Sequence, residues 1–226
     1  MPSAMTETRT NPQVRQTEVR PAKFADLKGM ARCHRACFPD QFISRMGLRF
    51  TAAFYREYLD HPDGLVFVAV DAETGEVAGL VAGGEPEIRA EFLRAAKRRF
   101  PFSLLWRAIW DSVVRSRVLG ALRGARGGQA DPVERESAEW PAPPGRWAKL
   151  QVICVDAAYR GGGGGGAAQL MERFRQACRH AGYPTMDLSV YTDNARAVAF
   201  YRKGGWNVVR QTDGTTFMRR PTGDEQ

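Results

Sequence analysis

The sequence predicts an α/β (α+β) domain: a mixed central sheet of about six to seven strands flanked by helices, with a helical insertion between strands three and four. Three observations predict it. Short apolar runs bounded by Gly, Pro and Asp recur at Leu65–Val70, Val77–Ala82, Val152–Val155 and Met186–Tyr191, the pattern of buried strands. Between them lie segments with apolar residues spaced i, i+3, i+4, i+7, the pattern of amphipathic helices. From Val152 to Ala181 the two kinds follow each other directly. An apolar strand leads through a turn, Asp156 to Arg160, into six glycines, Gly161 to Gly166, and then a helix with Ala167, Leu170, Met171, Phe174, Cys178 and Ala181 on one face.

Taken in order, residues 1–16 are polar and aperiodic and are expected to be a disordered tail. Thr17–Arg20 form a first strand. Pro21 and Asp26 open a helix whose stripe is Phe24, Leu27, Ala31, His34 and Phe38, stopped at Pro39. After Gly47 a second helix carries Phe50, Phe54, Tyr55, Tyr58 and Leu59 and ends at His61-Pro62-Asp63-Gly64. Leu65–Val70 and Val77–Ala82 make a hairpin around the turn-rich DAETGE. The insertion, residues 85–146, opens with two helices parted by Pro101. The second has a greasy face of Leu104, Leu105, Ala108, Ile109 and Val113, with Trp106 and Trp110 beside it. From Ala125 the insertion is rich in Gly, Pro and charge and reads as a mobile loop. Beyond the glycine run and its helix, Gly182-Tyr183-Pro184 turns into Met186–Tyr191. Asn194 caps a helix ended by Gly204 and Gly205, and Trp206–Val209 with Thr215–Met218 close the sheet. One domain, 17–220, with a short tail at 221–226, accounts for the chain.

Composition narrows the classes. The net charge is +8 over 226 residues, and the whole excess lies between Arg89 and Arg126, where ten Lys or Arg face only Glu91 and Asp111. An acidic partner would be met there. No stretch has the apolar core of a signal peptide or approaches the ~18 apolar residues of a membrane span, so a cytoplasmic location is expected. Cys33, Cys37, Cys154 and Cys178 lie in apolar-patterned segments and read as reduced core residues. Cys33-His34-Cys37 has no second ligand pair, so no metal is expected.

Glycines between a strand and a helix admit positive φ and close approach of a ligand to the backbone, and the free N–H groups of the first helical turn favour an anion, phosphate first among them. Three loop types compete. A Walker loop needs Lys and Ser or Thr after its last glycine, where this chain has Ala167 and Ala168, and is excluded. A dinucleotide fingerprint wants an acid roughly 20 residues on at the end of a strand; Asp187 stands at a strand's start and keeps that type as a competitor. The third is Arg/Gln-x-x-Gly-x-Gly/Ala, met by Arg160, Gly163 and Gly165.

That third pattern resembles the acyl-CoA pyrophosphate loop of the GNAT (GCN5-related N-acetyltransferase) superfamily. A second segment is similar to the family's last motif: Leu188, Val190, Asn194, Ala197, Tyr201, Gly205 and Trp206, with Trp206 in the usual Phe place. The resemblance implies acetyl-CoA as acyl donor co-substrate and a primary amine of a small molecule as acceptor. It implies pyrophosphate bound by Arg160 and the backbone of Gly161, Gly162, Gly163, Gly164, Gly165 and Gly166, with Asn194 as cap and contact in one. The pantetheine arm would pair with Ile153 and Val155 in a gap between strands four and five, with the Val155 amide on the thioester oxygen. Tyr201 would be the general acid for the leaving thiolate. The acceptor would lie among His34, Phe38, Arg45 and Tyr55 under a lid from the insertion. A loose likeness of the segment from Cys37 to Tyr55 to a subgroup tied to sugar chemistry suggests an amino sugar. Where some members carry a basic Glu this chain has Lys149; Glu85 or Glu87 through water are the substitutes considered, and no base is assigned.

For the insertion three readings stand: a cap whose apolar stripe packs on the domain, a homodimer contact, or a helix at an anionic membrane surface through 89–123. Nucleic acid is disfavoured as a partner, because the aromatics there fall at helical spacing. The rival to an enzyme is a non-catalytic acyl-CoA-binding module.

Overall fold

Alternation along the middle strands sorts side chains to two faces, and both faces are covered. Val66, Val68, Leu80, Ala82 and Cys154 join one core with Met30, Phe50, Phe54 and Phe92. Ala69, Val81, Val155, Leu188 and Met218 join another with Leu170, Met171, Phe174 and Cys178. The structure, a computed structural model, describes residues 16–112, 114–116, 142–160 and 166–223. The expected tails up to residue 15 and from 224, Val113, the loop half of the insertion up to residue 141, and Gly161 to Gly165 lie outside the described residues.

The order is β1 (Thr17–Pro21), α1 (Leu27–Cys37), α2 (Phe42–Arg45), α3 (Leu48–Asp60), β2 (Gly64–Asp71), β3 (Val77–Gly84), α4 (Ile88–Arg99) and α5 (Pro101–Trp110). Then follow β4 (Trp147–Val155), α6 (Gly166–His180), β5 (Thr185–Tyr191), α7 (Ala195–Lys203), β6 (Asn207–Gln211) and β7 (Thr215–Pro221). The seven strands form one mixed sheet in the order β1-β2-β3-β4-β5-β7-β6. Only β4 and β5 run parallel; the α6 crossover between them is the connection a parallel pair needs. Helices α1 and α3 cover one face and α6 the other. At the hairpin's open end Gly64 pairs with Gly84. Gly84 has φ +128°, and a Cβ there would stand 2.0 Å from the Asp63 carbonyl oxygen, so only glycine fits.

Three departures from the sequence reading have physical causes. Phe24, expected on the buried stripe, is 54% exposed in a 3-10 turn before α1, with the Arg56 guanidinium over its ring at 5.7 Å. The strand read as Val152–Val155 begins at Trp147, because Ala148 and Leu150 continue the alternation inward. Of the described stripe residues of α5, only Leu104 packs on the domain. Leu104 reaches the core beside Phe100, whose ring packs at a tilt against Phe50 with centroids 5.2 Å apart, whereas Leu105 and Ile109 are exposed. Successive helical residues turn by 100°, and the anchoring by Phe100 and Leu104 leaves Leu105 and Ile109 turned away from the core.

Candidate active site

The site begins where β4 and β5 stop pairing. They are hydrogen-bonded through Trp147–Thr185, Ala148–Met186 and Lys149–Asp187 and no further, although β4 runs on to Val155 and β5 to Tyr191. A bulge initiates the divergence. Ala82 faces Val152 and Gly83 faces Leu150, leaving Gln151 without an opposite residue on β3, and an extra residue bends its strand. Between the separated strands opens a cleft of about 590 Å³, lined by Leu150, Gln151, Val152 and Ile153 on one side and Leu188, Ser189, Val190 and Tyr191 on the other.

The Asp156 amide donates to the Ala78 carbonyl at 2.7 Å. Alternation in an antiparallel ladder therefore turns the N–H and C=O groups of Val155 and Ile153 away from β3, toward the opened edge. Ile153 lines the cleft; Val155 lies just beyond it. The Val155 carbonyl accepts from Arg160 Nε at 2.7 Å and from the Cys37 thiol at 3.4 Å. Arg160, expected at the pyrophosphate, is thus folded back on the strand end, exposed, beside the glycine run. That run's approach is fixed on its near side: the Asp156 carboxylate accepts from the Ala158 amide at 2.9 Å, and the Tyr159 hydroxyl donates to Asp71 at 2.8 Å. On its far side Gly166 opens α6; Gly161 to Gly165 lie outside the described residues.

From the other wall Asn194 and Tyr201 reach the cleft. The Asn194 side chain accepts from the Ala197 amide at 3.1 Å and so caps α7, as a residue of its type should. Tyr201 lies about two turns along from the cap, 9% exposed, edge-on to Phe200 and Trp206 with ring centroids at 5.4 and 5.9 Å. Burial above all, with the nearby Cys154 thiol, pushes its phenol well above the usual range. It is therefore protonated at every physiological pH and has a proton to give.

The remote end of the cleft is built by α1, α2 and α4 around His34, Phe38, Gln41, Phe42, Arg89 and Leu93. His34 is 1% exposed. Its Nδ1 shares a 2.5 Å hydrogen bond with the Tyr55 hydroxyl, and its Nε2 is buried with no partner among the described residues. Burial lowers its pKa to about 4, with the Arg89 charge acting in the same direction, so the imidazole is neutral at pH 7. Among the described residues the lining combines Arg89 and Lys149 with aromatic and aliphatic groups and includes no carboxylate.

The structure thus brings Ile153, Asn194, Tyr201, His34 and Phe38 to one cleft. Tyr55, expected against the acceptor, is fully buried behind His34 and holds the imidazole. Arg45 points elsewhere, bonded to Asp40 at 2.9 Å and Asp111 at 3.1 Å. Glu85 and Glu87 are not among the lining residues; Glu85 accepts from the Tyr183 hydroxyl at 3.3 Å. Asp187, the dinucleotide competitor's acid, is buried against Arg219 at 3.0 Å. Arg89 and Leu93 were missed by sequence reasoning, though the signal was present. Ile88, Phe92 and Ala96 form the buried i, i+4, i+8 stripe of α4, so the residues one place on share a neighbouring stripe. The cysteines also gather more closely than the sequence suggested. Cys154 joins Cys33 and Cys37, the three sulfurs lying within 4.8 Å of one another, a donor set of the kind soft metals accept. The Cys33 and Cys37 thiols donate to the carbonyls of Ala78 and Val155, a role that packing alone explains.

The model of the Acetyltransferase (GNAT) family matches residues 27–206. No curated protein matches the chain. Among solved structures, that of SsHAT superposes with TM-score 0.64 at 23% identity, covering 92% of this chain and 100% of its own. The ribosomal-protein-S18-alanine N-acetyltransferase from Escherichia coli gives TM-score 0.52 at 15% identity, over 93% and 97%. The spermidine/spermine N-acetyltransferase SpeG from Vibrio cholerae gives 0.52 at 13%, over 92% and 94%. At these identities the likeness is one of fold.

Proposed function

The chain belongs to the GNAT acetyltransferase family, and from that premise we propose that it moves an acetyl group from acetyl-CoA to a primary amine of a small molecule by direct attack. The observation that carries this reading is the parting of β4 from β5 over a buried, protonated tyrosine. Backbone groups of Ile153 and Val155 on the opened rim suit the amides of a pantetheine arm, and the Val155 N–H suits the thioester oxygen as charge develops there. Gly166 at the head of α6 suits the pyrophosphate, with the exposed Arg160 at the near end of the glycine run to assist it. Tyr201 gives its proton to the departing thiolate.

At the other end, the unpartnered Nε2 of His34 offers the acceptor a hydrogen bond, and Phe38 and Phe42 offer it apolar surface. The described lining residues include Arg89 and Lys149 and no carboxylate, a balance of residue types that favours a neutral or anionic acceptor over a polycation. The acceptor is therefore a neutral or acid-bearing amine, amino sugars among them, rather than a polyamine or a basic peptide. With no carboxylate among the described lining residues, the amine loses its proton to solvent before attack, and turnover should climb with pH toward the amine's own pKa.

Thiol release from acetyl-CoA, followed over a panel of amino sugars, amino acids and polyamines, tests the proposal. Release that needs a neutral or acid-bearing amine is the expected result. No release with any amine, while acetyl-CoA still binds, would leave a carrier-binding module instead.

A further inference from the structure

We infer that the α4–α5 hairpin is a docking surface for an anionic lipid bilayer, with α5 lying in the interface. Phe102, Leu105, Trp106, Ile109 and Trp110 are 84, 63, 64, 52 and 74% exposed, and the other large apolar residues so exposed among those described, Phe24, Leu48 and Val209, are scattered singly. At 100° per residue the five span an arc of about 140° opposite Leu104, so α5 presents its apolar face outward. A patch of this kind on a folded domain marks a contact.

The face is held in place. Phe100 is seated on Phe50 and Leu104 packs against the same core. Arg45 binds Asp111 at 3.1 Å, and the Asp111 carboxylate accepts from the Val114 amide at 3.2 Å. Trp106 and Trp110, with centroids 6.3 Å apart, are the residue type that settles at the headgroup level of a bilayer.

Charge selects the occupant. The last turn of α4 carries Lys97, Arg98 and Arg99, joined to α5 through Phe100 alone, and Arg107 flanks the stripe. Lys97, Arg98 and Arg107 have no acidic partner among the described residues. A second copy of the chain related by a two-fold axis would bring this basic rim against itself. A nucleic acid would match the charge and leave the aliphatic groups uncovered. An anionic membrane surface satisfies both. Since α4 also supplies Arg89 and Leu93 to the cleft, docking sets the cleft beside the bilayer.

The full chain should co-sediment with vesicles of equal parts phosphatidylcholine and phosphatidylglycerol, and far less with phosphatidylcholine alone. Trp106→Ala/Trp110→Ala, at exposed positions, should weaken that binding by about tenfold or more with the thermal melt unchanged. Lys97→Glu/Arg98→Glu should abolish its salt-sensitive part. No binding to the anionic vesicles at low salt overturns the inference, as does binding indifferent to both pairs of substitutions. Self-association in sedimentation velocity that the tryptophan pair abolishes would assign the face to a second copy and overturn it equally.

Discussion

A phenol and an imidazole, both buried and both electrically neutral, bracket the cleft. The expectation of an acid at Tyr201 rested on the resemblance of its segment to the family's last motif; what the sequence did not carry was the burial that keeps its proton on. Tyr201→Phe is expected to lower kcat by about 10²- to 10⁴-fold and to leave acetyl-CoA affinity, measured by calorimetry, unchanged. Because burial raises this group above its ordinary value of about 10, no alkaline fall in kcat due to it should occur below pH ~10. A fall near pH 8 that disappears in the phenylalanine variant would refute the assignment. His34 makes the opposite kind of statement. Its pKa is about 4 in the folded protein, against 6.5 for an ordinary histidine. The unfolded chain therefore takes up a proton between those values that the folded chain refuses. Stability is whole above pH 6.5 and drains away as pH falls toward 4, by about 2 kcal/mol at pH 5. In His34→Gln that portion of the pH dependence should vanish from denaturant titrations, and KM for the amine should rise more than kcat falls.

Secondary elements were legible in proportion to how strictly their pattern served a single partner. Helices α1, α3 and α6 and the hairpin β2–β3 were read from periodicity to within a few residues, because each buries one face against one sheet. The pattern of α5 was read as helical, but which way its stripe turns was not there to read. That depends on Phe100 and Leu104 finding Phe50 and the core first, a contact across some fifty positions of sequence. Short α2 escaped notice because a single helical turn has no period to detect. The glycine pair at the end of the hairpin gives a test at this scale. Gly84→Ala would drive a Cβ into the Asp63 carbonyl at 2.0 Å with φ at +128° and should cost more than about 2 kcal/mol. Gly75→Ala, at φ +71° with nothing within 4 Å, should cost only about 1 kcal/mol, the backbone's share. Equal losses in thermal denaturation would show that crowding at Gly84 is relieved elsewhere.

For the molecule as a whole, the family was readable from two separated motifs, and the family match over residues 27–206 agrees with them. The gap between strands was expected only from that resemblance. The bulge at Gln151 that begins it is a matter of register between β3 and β4, which no single strand's sequence specifies. Acetyl-CoA at about a hundred times its Kd should stabilise the fold by roughly 2.7 kcal/mol. If it lies along β4 as proposed, the amides of Ile153 and Val155 should be among those whose hydrogen exchange slows most; protection confined to α6 would place it elsewhere. The short run of pairing between β4 and β5 carries one more consequence. Three residue pairs are the whole of the backbone seam between a four-strand slab and a three-strand slab. The empty protein is masonry with a joint left open, and a guest laid along that joint is its mortar. Mechanical or thermal rupture should accordingly start there, and start later once the guest is in place.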